Sequence, residues 1–259
     1  MPKPEHSPSE FFSKHAEDYA KSESHARGSD LPTLIDNLRP AASEIALDVA
    51  TGTGFTAAAL APRVKQVVAT DLTEEMLDQA KKLARERGIA NIRFERADAA
   101  DLPFADSSFD IVTTRRAAHH FQDVPAFLLE AKRVLRHGGR LGIVDMSPPE
   151  GSEEFFNRIE RLRDPTHVRA LTPKEWRQLV ANAGLAIISE QLLPEQIPFE
   201  RWLYPVAMGG REEARIRSEW GKATANVRTL LEVKENRGLV EGWTKVRIVL
   251  VANKARRQV

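Results

Sequence analysis

Residues 47–54, LDVATGTG, join a short apolar run, IALDVA at 45–50, to a helical pattern at 55–61 through a glycine-rich turn. A strand that runs straight into glycines and then a helix is the opening of a βα unit. Working outward, the same alternation recurs. QVVAT at 66–70 reads as a second strand. Thr73 is placed to N-cap the next helix, with Met76, Leu77, Ala80 and Leu83 on its apolar face and Gly88 at its end. Strands are expected at 91–95, 109–114 and 140–146, with a helix at 124–135 between the last two. A helix opens at Thr172-Pro173, and further strands are expected at 185–193 and 246–252. Strands alternating with helices predict an α/β fold: a doubly wound, mostly parallel sheet covered on both faces.

Around that core, helical patterns at 9–26 and 31–38 predict an N-terminal helical segment, residues 1–40, over the site. The core is expected over 41–194 and 240–259. Residues 195–239, with Trp202, Tyr204, Met208 and Trp220, predict a helical cap inserted before the last strand. Their aromatics fit a core role more readily than a ligand wall.

The composition excludes several chemistries. Among 259 residues there is no cysteine, so disulfides, thiolate metal sites and cysteine nucleophiles are absent, and no metal is expected. Net charge is +1, which provides no global field for nucleic acid. The opening MPKPEHSPSEFF lacks the apolar stretch of a signal peptide, and no run approaches the ~20 apolar residues of a spanning helix. A cytoplasmic protein without membrane insertion is expected, as a monomer or homodimer.

Gly52 and Gly54 permit positive φ and close approach of a ligand to the backbone. By itself the turn is ambiguous, because 52–57 also satisfies the dinucleotide pattern G-x-G-x-x-G/A. Three carboxylates at successive strand ends give it direction. Asp48 sits before the glycines, where it would repel a pyrophosphate but welcome an ammonium group. Asp71 ends the second strand and suits ribose hydroxyls; Asp98 follows the third and suits an adenine amino group. The plainer roles are a turn cap for Asp48, a helix cap for Asp71 and a loop position for Asp98.

With these motifs in order, the chain resembles the class I S-adenosylmethionine-dependent methyltransferases, in the type-11 branch that includes the ubiquinone/menaquinone C-methyltransferases. LDVATGTGFT resembles the first motif of that family and VVATDLTEEMLDQAKKLA (67–84) the second. RADAADLPFADSSFDIVTTRRAAHHF (96–121) and VLRHGGRLGIVDM (134–146) resemble the adenine loop and the later strands. FFSKHAEDYAKSESHARG and IERLRDPTHVRALTPKEW look like a narrower group of small-molecule methyltransferases in that branch. The resemblance implies a seven-stranded sheet with its last strand antiparallel and S-adenosylmethionine as cofactor, leaving as S-adenosylhomocysteine. It implies that Asp48, Thr51, Gly52 and Gly54 contact the methionine part. Asp71, Leu72 and Met76 would hold the nucleoside, Asp98 and Ala99 the adenine, and Arg115 the cofactor and first substrate atoms.

Methyl transfer from a sulfonium needs alignment and water exclusion, and a base only if the acceptor loses a proton. Arg115, Arg116, His119 and His120 form the densest polar cluster. An arginine there could neutralise an acidic acceptor, and a histidine could take a proton. One of two adjacent histidines usually faces solvent. His15, Tyr19 and His25 are further candidates on the N-terminal segment, with helix packing as the other role for Tyr19. His167 and Arg169 are candidates beyond the fifth strand, with a loop salt bridge as the alternative. The reading is a methyltransferase for a small-molecule acceptor, aromatic or quinone-like, with no nucleic-acid partner. A nicotinamide oxidoreductase and a non-catalytic cofactor binder are the competing classes.

Overall fold

A computed structural model of the chain describes residues 11, 13, 15–17, 20 and 28–256. Tyr19 and His25 lie outside the described residues. The sheet has the order β3-β2-β1-β4-β5-β8-β6, built from β1 (Ile45–Val49), β2 (Gln66–Asp71), β3 (Ile92–Arg96), β4 (Phe109–Arg115), β5 (Leu135–Met146), β6 (Ala186–Pro198) and β8 (Leu239–Asn253). β8 runs antiparallel to both β5 and β6, and the other pairings are parallel. A short β7 (Lys234–Asn236) pairs with β8 and makes an eighth strand beyond the seven expected.

Strand order reverses between β1 and β4, and the carboxyl ends beside that switch are where open α/β sheets hold ligands. Each face of the sheet has its own apolar layer. Leu47, Val112, Leu141 and Leu250 pack under α4 (Val124–Val134) and α6 (Pro173–Asn182). Ala46, Val67, Ile111 and Val249 pack under α1 (Asp30–Leu38) and α2 (Phe55–Leu60). Leu31, Leu34, Ile35 and Leu38 recur at helical spacing and bury one face of α1. Gly142 lets that face approach β5, since a Cβ there would lie 2.7 Å from Leu34. α1 is thereby seated so that its first residue, Asp30, meets the end of β4.

Local signals behave as their chemistry dictates. Thr172 and Glu175 form a reciprocal capping box at the start of α6, with Pro173 in the first turn. α3 (Glu74–Glu86) buries Met76, Leu77, Ala80 and Ala84. Thr73 is its N-cap residue but makes no side-chain cap bond, and Asp71 accepts from the Thr73 N–H instead.

Two strands are longer than expected. β6 continues from the apolar 186–193 through Glu195 and Ile197, and β8 starts at Leu239. α5 (Glu153–Arg163) follows β5, and α7 (Phe199–Leu203), α8 (Arg211–Gly221) and α9 (Ala225–Leu230) lie between β6 and β7. These helices and the start of β8 share a third apolar cluster around Phe155, Phe156, Trp202, Trp220 and Trp243. Among the described residues no helix is long and apolar enough to cross a membrane.

Candidate active site

A cavity of about 540 Å³ opens at the carboxyl ends of the strands. That lies within the ~300–1,000 Å³ usual for small-molecule sites. Thr51, Gly52, Asp71, Leu72, Met76, Asp98 and Ala99 line one part of it. Arg115, Arg116, His119, His120, Asp145, Met146, Ile197, Trp202 and Lys245 line another, and Phe11 and His15 contribute from the N-terminal segment.

The glycine turn is shaped by residues with positive φ. Ala50 has φ 53°, Gly52 54° and Gly54 87°. A left-handed alanine is costly and is characteristic of ligand clamps. Asp71 ties this turn to α3: Oδ2 accepts from the Gly52 N–H at 2.8 Å and Oδ1 from the Thr73 N–H at 3.0 Å. Burial raises its pKa against those bonds. Asp98 accepts from the Ala100 N–H at 2.9 Å and remains at the cavity edge.

Two residues expected to touch the ligand do not line the cavity. Asp48 pairs with Thr113 across the β1–β4 ladder, so its side chain turns onto that neighbour. Its oxygens accept from Thr51 Oγ1 at 2.6 Å and Thr113 Oγ1 at 2.7 Å, and burial pushes its pKa up to about 6. Asp48 therefore orients Thr51, which does face the cavity. Gly54 instead packs against α3, where a Cβ would come 2.8 Å from Ala80 Cβ.

The basic pair at the end of β4 is also arranged differently from expectation. Arg115 Nε and Arg116 Nε donate to Asp30 Oδ2 at 2.8 and 2.9 Å, and Arg116 also reaches Oδ1 at 2.6 Å. Burial would raise the Asp30 pKa, but the charges and hydrogen bonds of Arg116 and Arg115 hold it well below the usual range. The arginines line the cavity while sharing a buried counter-ion that sequence reasoning missed.

His119 is buried and lies against Asp145. Its Nδ1 is 2.5 Å from Asp145 Oδ1, and its backbone N–H donates to Oδ2 at 2.7 Å. The Met146 N–H also donates to Oδ1. With Asp145 ionised, the Nδ1 contact places the proton on Nδ1 of a neutral imidazole and leaves Nε2 with its lone pair. Burial lowers the His119 pKa and raises that of Asp145. The signal for Asp145 was present: a lone carboxylate in the apolar strand LGIVDM. His120 faces the cavity and contacts the Thr166 carbonyl and hydroxyl at 3.1 and 3.0 Å.

His167 and Arg169 do not reach the cavity. His167 Nε2 meets Asn157 Oδ1 at 2.7 Å, and its ring lies behind His119, with centroids 5.5 Å apart. Arg169 forms a loop ion pair with Glu175. A second missed network lies deeper. Glu160 accepts from Lys245 Nζ at 2.8 Å, Trp202 Nε1 at 3.0 Å and Arg163 at 2.8 Å. Burial works against the Glu160 charge, but Lys245 and Arg163 keep its pKa well below normal.

Comparisons with known proteins bear on this geometry. Residues 47–143 match a family model described as a methyltransferase domain. The uncharacterized methyltransferase YcgJ of Bacillus subtilis (strain 168) is 40% identical over 194 residues, 74% of this chain and 77% of that protein. This chain belongs to the class I S-adenosylmethionine-dependent methyltransferases.

Within this methyltransferase family the likeness extends to solved structures. The crystal structure of YcgJ superposes with a TM-score of 0.81 at 34% identity, covering 88% of this chain and 99% of that one. A protein described as a methyltransferase, from Bacillus halodurans C-125, gives 0.84 at 34% identity and covers 88% and 100%. The demethylmenaquinone methyltransferase of Deinococcus radiodurans is 37% identical over 153 residues, 58% of this chain and 59% of that protein.

Proposed function

We propose that this methyltransferase acts on a small organic acceptor, aromatic or quinone-like, whose proton is taken by His119 with Asp145 behind it. The observation that carries this reading is the continuity of the cavity from Asp71 and Asp98 to the His119–Asp145 pair. Its nucleoside end fits S-adenosylmethionine. Asp71 supplies a buried carboxylate for ribose hydroxyls, Asp98 an acceptor for an adenine amino group, and Leu72 and Met76 apolar contact. Thr51, held by Asp48, and the backbone around Gly52 face the methionine part.

The cofactor supplies an electrophilic methyl group, whose bond to sulfur breaks as the bond to the acceptor forms, leaving a thioether. The chain aligns the acceptor, excludes water and removes the proton. His119 Nε2 is the proton acceptor, and Asp145 fixes the tautomer and stabilises the imidazolium. Trp202, Ile197 and Met146 form an apolar wall suited to a ring. Residues 199–231 act as a cap over this end. The demethylmenaquinone methyltransferase relative supports an aromatic acceptor, and the imidazole–carboxylate pair favours turnover over simple cofactor binding.

Calorimetry with S-adenosylhomocysteine tests the cofactor end. Binding is expected, and Asp71→Ala should weaken it by about tenfold or more, the scale of one charge-assisted hydrogen bond. Binding of NADH in place of S-adenosylhomocysteine would overturn the reading.

A further inference from the structure

Lys245 is a buried residue of β8 that lines the acceptor end of the cavity. It is close enough for its charge to bear on His119 and Asp145. Burial lowers its own pKa against the pull of Glu160. Among the described residues its Nζ donates to one oxygen, Glu160 Oε1, at 2.8 Å. An ammonium carries three donors, so with one engaged two remain for the space that Lys245 lines. The Phe156 ring lies 5.8 Å away at its centroid and offers no lone pair.

The same Glu160 oxygen accepts from Trp202 Nε1 at 3.0 Å. One atom on α5 therefore fixes the indole of α7 and the ammonium of β8 relative to each other. An ion pair buried among aromatic rings adds little stability over apolar packing, so stability alone gives no reason for a lysine in this wall. The charges around it have both signs. Arg163 also pairs with Glu160, Arg247 pairs with Glu195 at 2.6 Å, and Asp145 and Asp164 line the same cavity. An added anion beside Lys245 would face Glu160 and Asp145, whereas a neutral oxygen would only take up the remaining hydrogens. We propose that the methyl acceptor is a neutral ring compound bearing a carbonyl or hydroxyl oxygen, and that Lys245 donates to this oxygen while Trp202 packs on the ring. This deepens the methyl-transfer reading and rests on it. The bond fixes how the ring is turned in the cavity. It also rejects the same ring without an oxygen, because the donors are then left unpaired.

The test is a ligand-observed NMR titration of the full chain, loaded with S-adenosylhomocysteine, using phenol, acetophenone, toluene and benzoate as probes. Phenol or acetophenone should bind about tenfold or more tightly than toluene, and benzoate should not exceed the better of them. Lys245→Met keeps an unbranched side chain and removes the donors. It should abolish the preference, leave toluene binding at least as tight and leave S-adenosylhomocysteine affinity unchanged. Should that variant fail to fold, Glu160→Gln combined with Lys245→Met removes both charges of the pair, while the glutamine carbonyl can still accept from Trp202; the same outcome is expected. Equal affinity for toluene and the oxygen compounds, failure of all four probes to bind, tighter binding of benzoate, or a preference that survives loss of the lysine would overturn the proposal. With normal S-adenosylhomocysteine binding, any of these results removes this inference alone; a wild-type protein that does not bind S-adenosylhomocysteine removes the methyl-transfer reading as well.

Discussion

His119 and Asp145 are joined at 2.5 Å in a buried site. In the proposed mechanism the working state has Asp145 ionised and His119 neutral with Nε2 free to accept. Protonating the pair removes that base, so kcat/KM should rise with pH along a limb above the ordinary carboxylate range, because burial raises Asp145. Asp145→Asn should lower kcat by about 10²-fold. It should also move the limb to lower pH, because an imidazole without its carboxylate partner holds a proton less well. A pH–rate profile checks both effects; a lower rate with an unmoved limb would make Asp145 merely structural. His119 was legible in the sequence as a candidate, and Asp145 stood out as a lone carboxylate in an apolar strand, but nothing local showed that the two, 26 residues apart, would pair. Asp71 was legible for a different reason: its place at the end of β2 follows from strand order alone.

At the scale of elements, the turn between β1 and α2 depends on Gly54 for two separate reasons. Its φ of 87° disfavours a side chain, and a Cβ would collide with Ala80 on α3 at 2.8 Å. Gly54→Ala should destabilise the protein by about 1–3 kcal/mol, the usual range for overpacking. By shifting the turn it should also weaken S-adenosylhomocysteine binding. Urea unfolding together with calorimetry measures the two effects; an unchanged midpoint would show that α3 yields without strain. The sequence singled out this glycine as a ligand contact, whereas the structure uses it for helix packing. α1 gives the complementary case. Its apolar spacing predicted the helix, but nothing in that spacing showed that Asp30 at its start would neutralise Arg115 and Arg116. Likewise, the mixed residues of 194–198 and 239–245 carried no clear strand signal. They pair because β6 and β8 continue the ladder already begun by their apolar halves.

Across the whole molecule, the apolar layers on the sheet and the aromatic cluster under α5 and α7–α9 are distinct. Trp220 belongs to the latter, with ring centroids 5.1 Å from Phe155 and 5.6 Å from Trp243. Trp220→Ala should cost about 3–5 kcal/mol. It should raise the acceptor KM through Trp202 and leave S-adenosylhomocysteine affinity near its original value, because the nucleoside end rests on β1, β2 and α3. Denaturation, steady-state kinetics and calorimetry separate these outcomes; an equal loss of S-adenosylhomocysteine affinity would show that the two ends of the cavity are not independent. The sequence by itself determined the α/β class, the strand ends that line the cavity and the family, because hydrophobic period and glycine turns act over a few residues. Only the tertiary structure decided which charges meet. Asp30, Asp145, Glu160 and Glu195 come from four separate elements, and Lys245 and Arg247 from a fifth, β8, so a pairing between them exists only once the sheet is assembled and water has been excluded from the space they share. LDVATGTG thus marks one end of the cavity, while its other end is built from side chains that local sequence could not bring together.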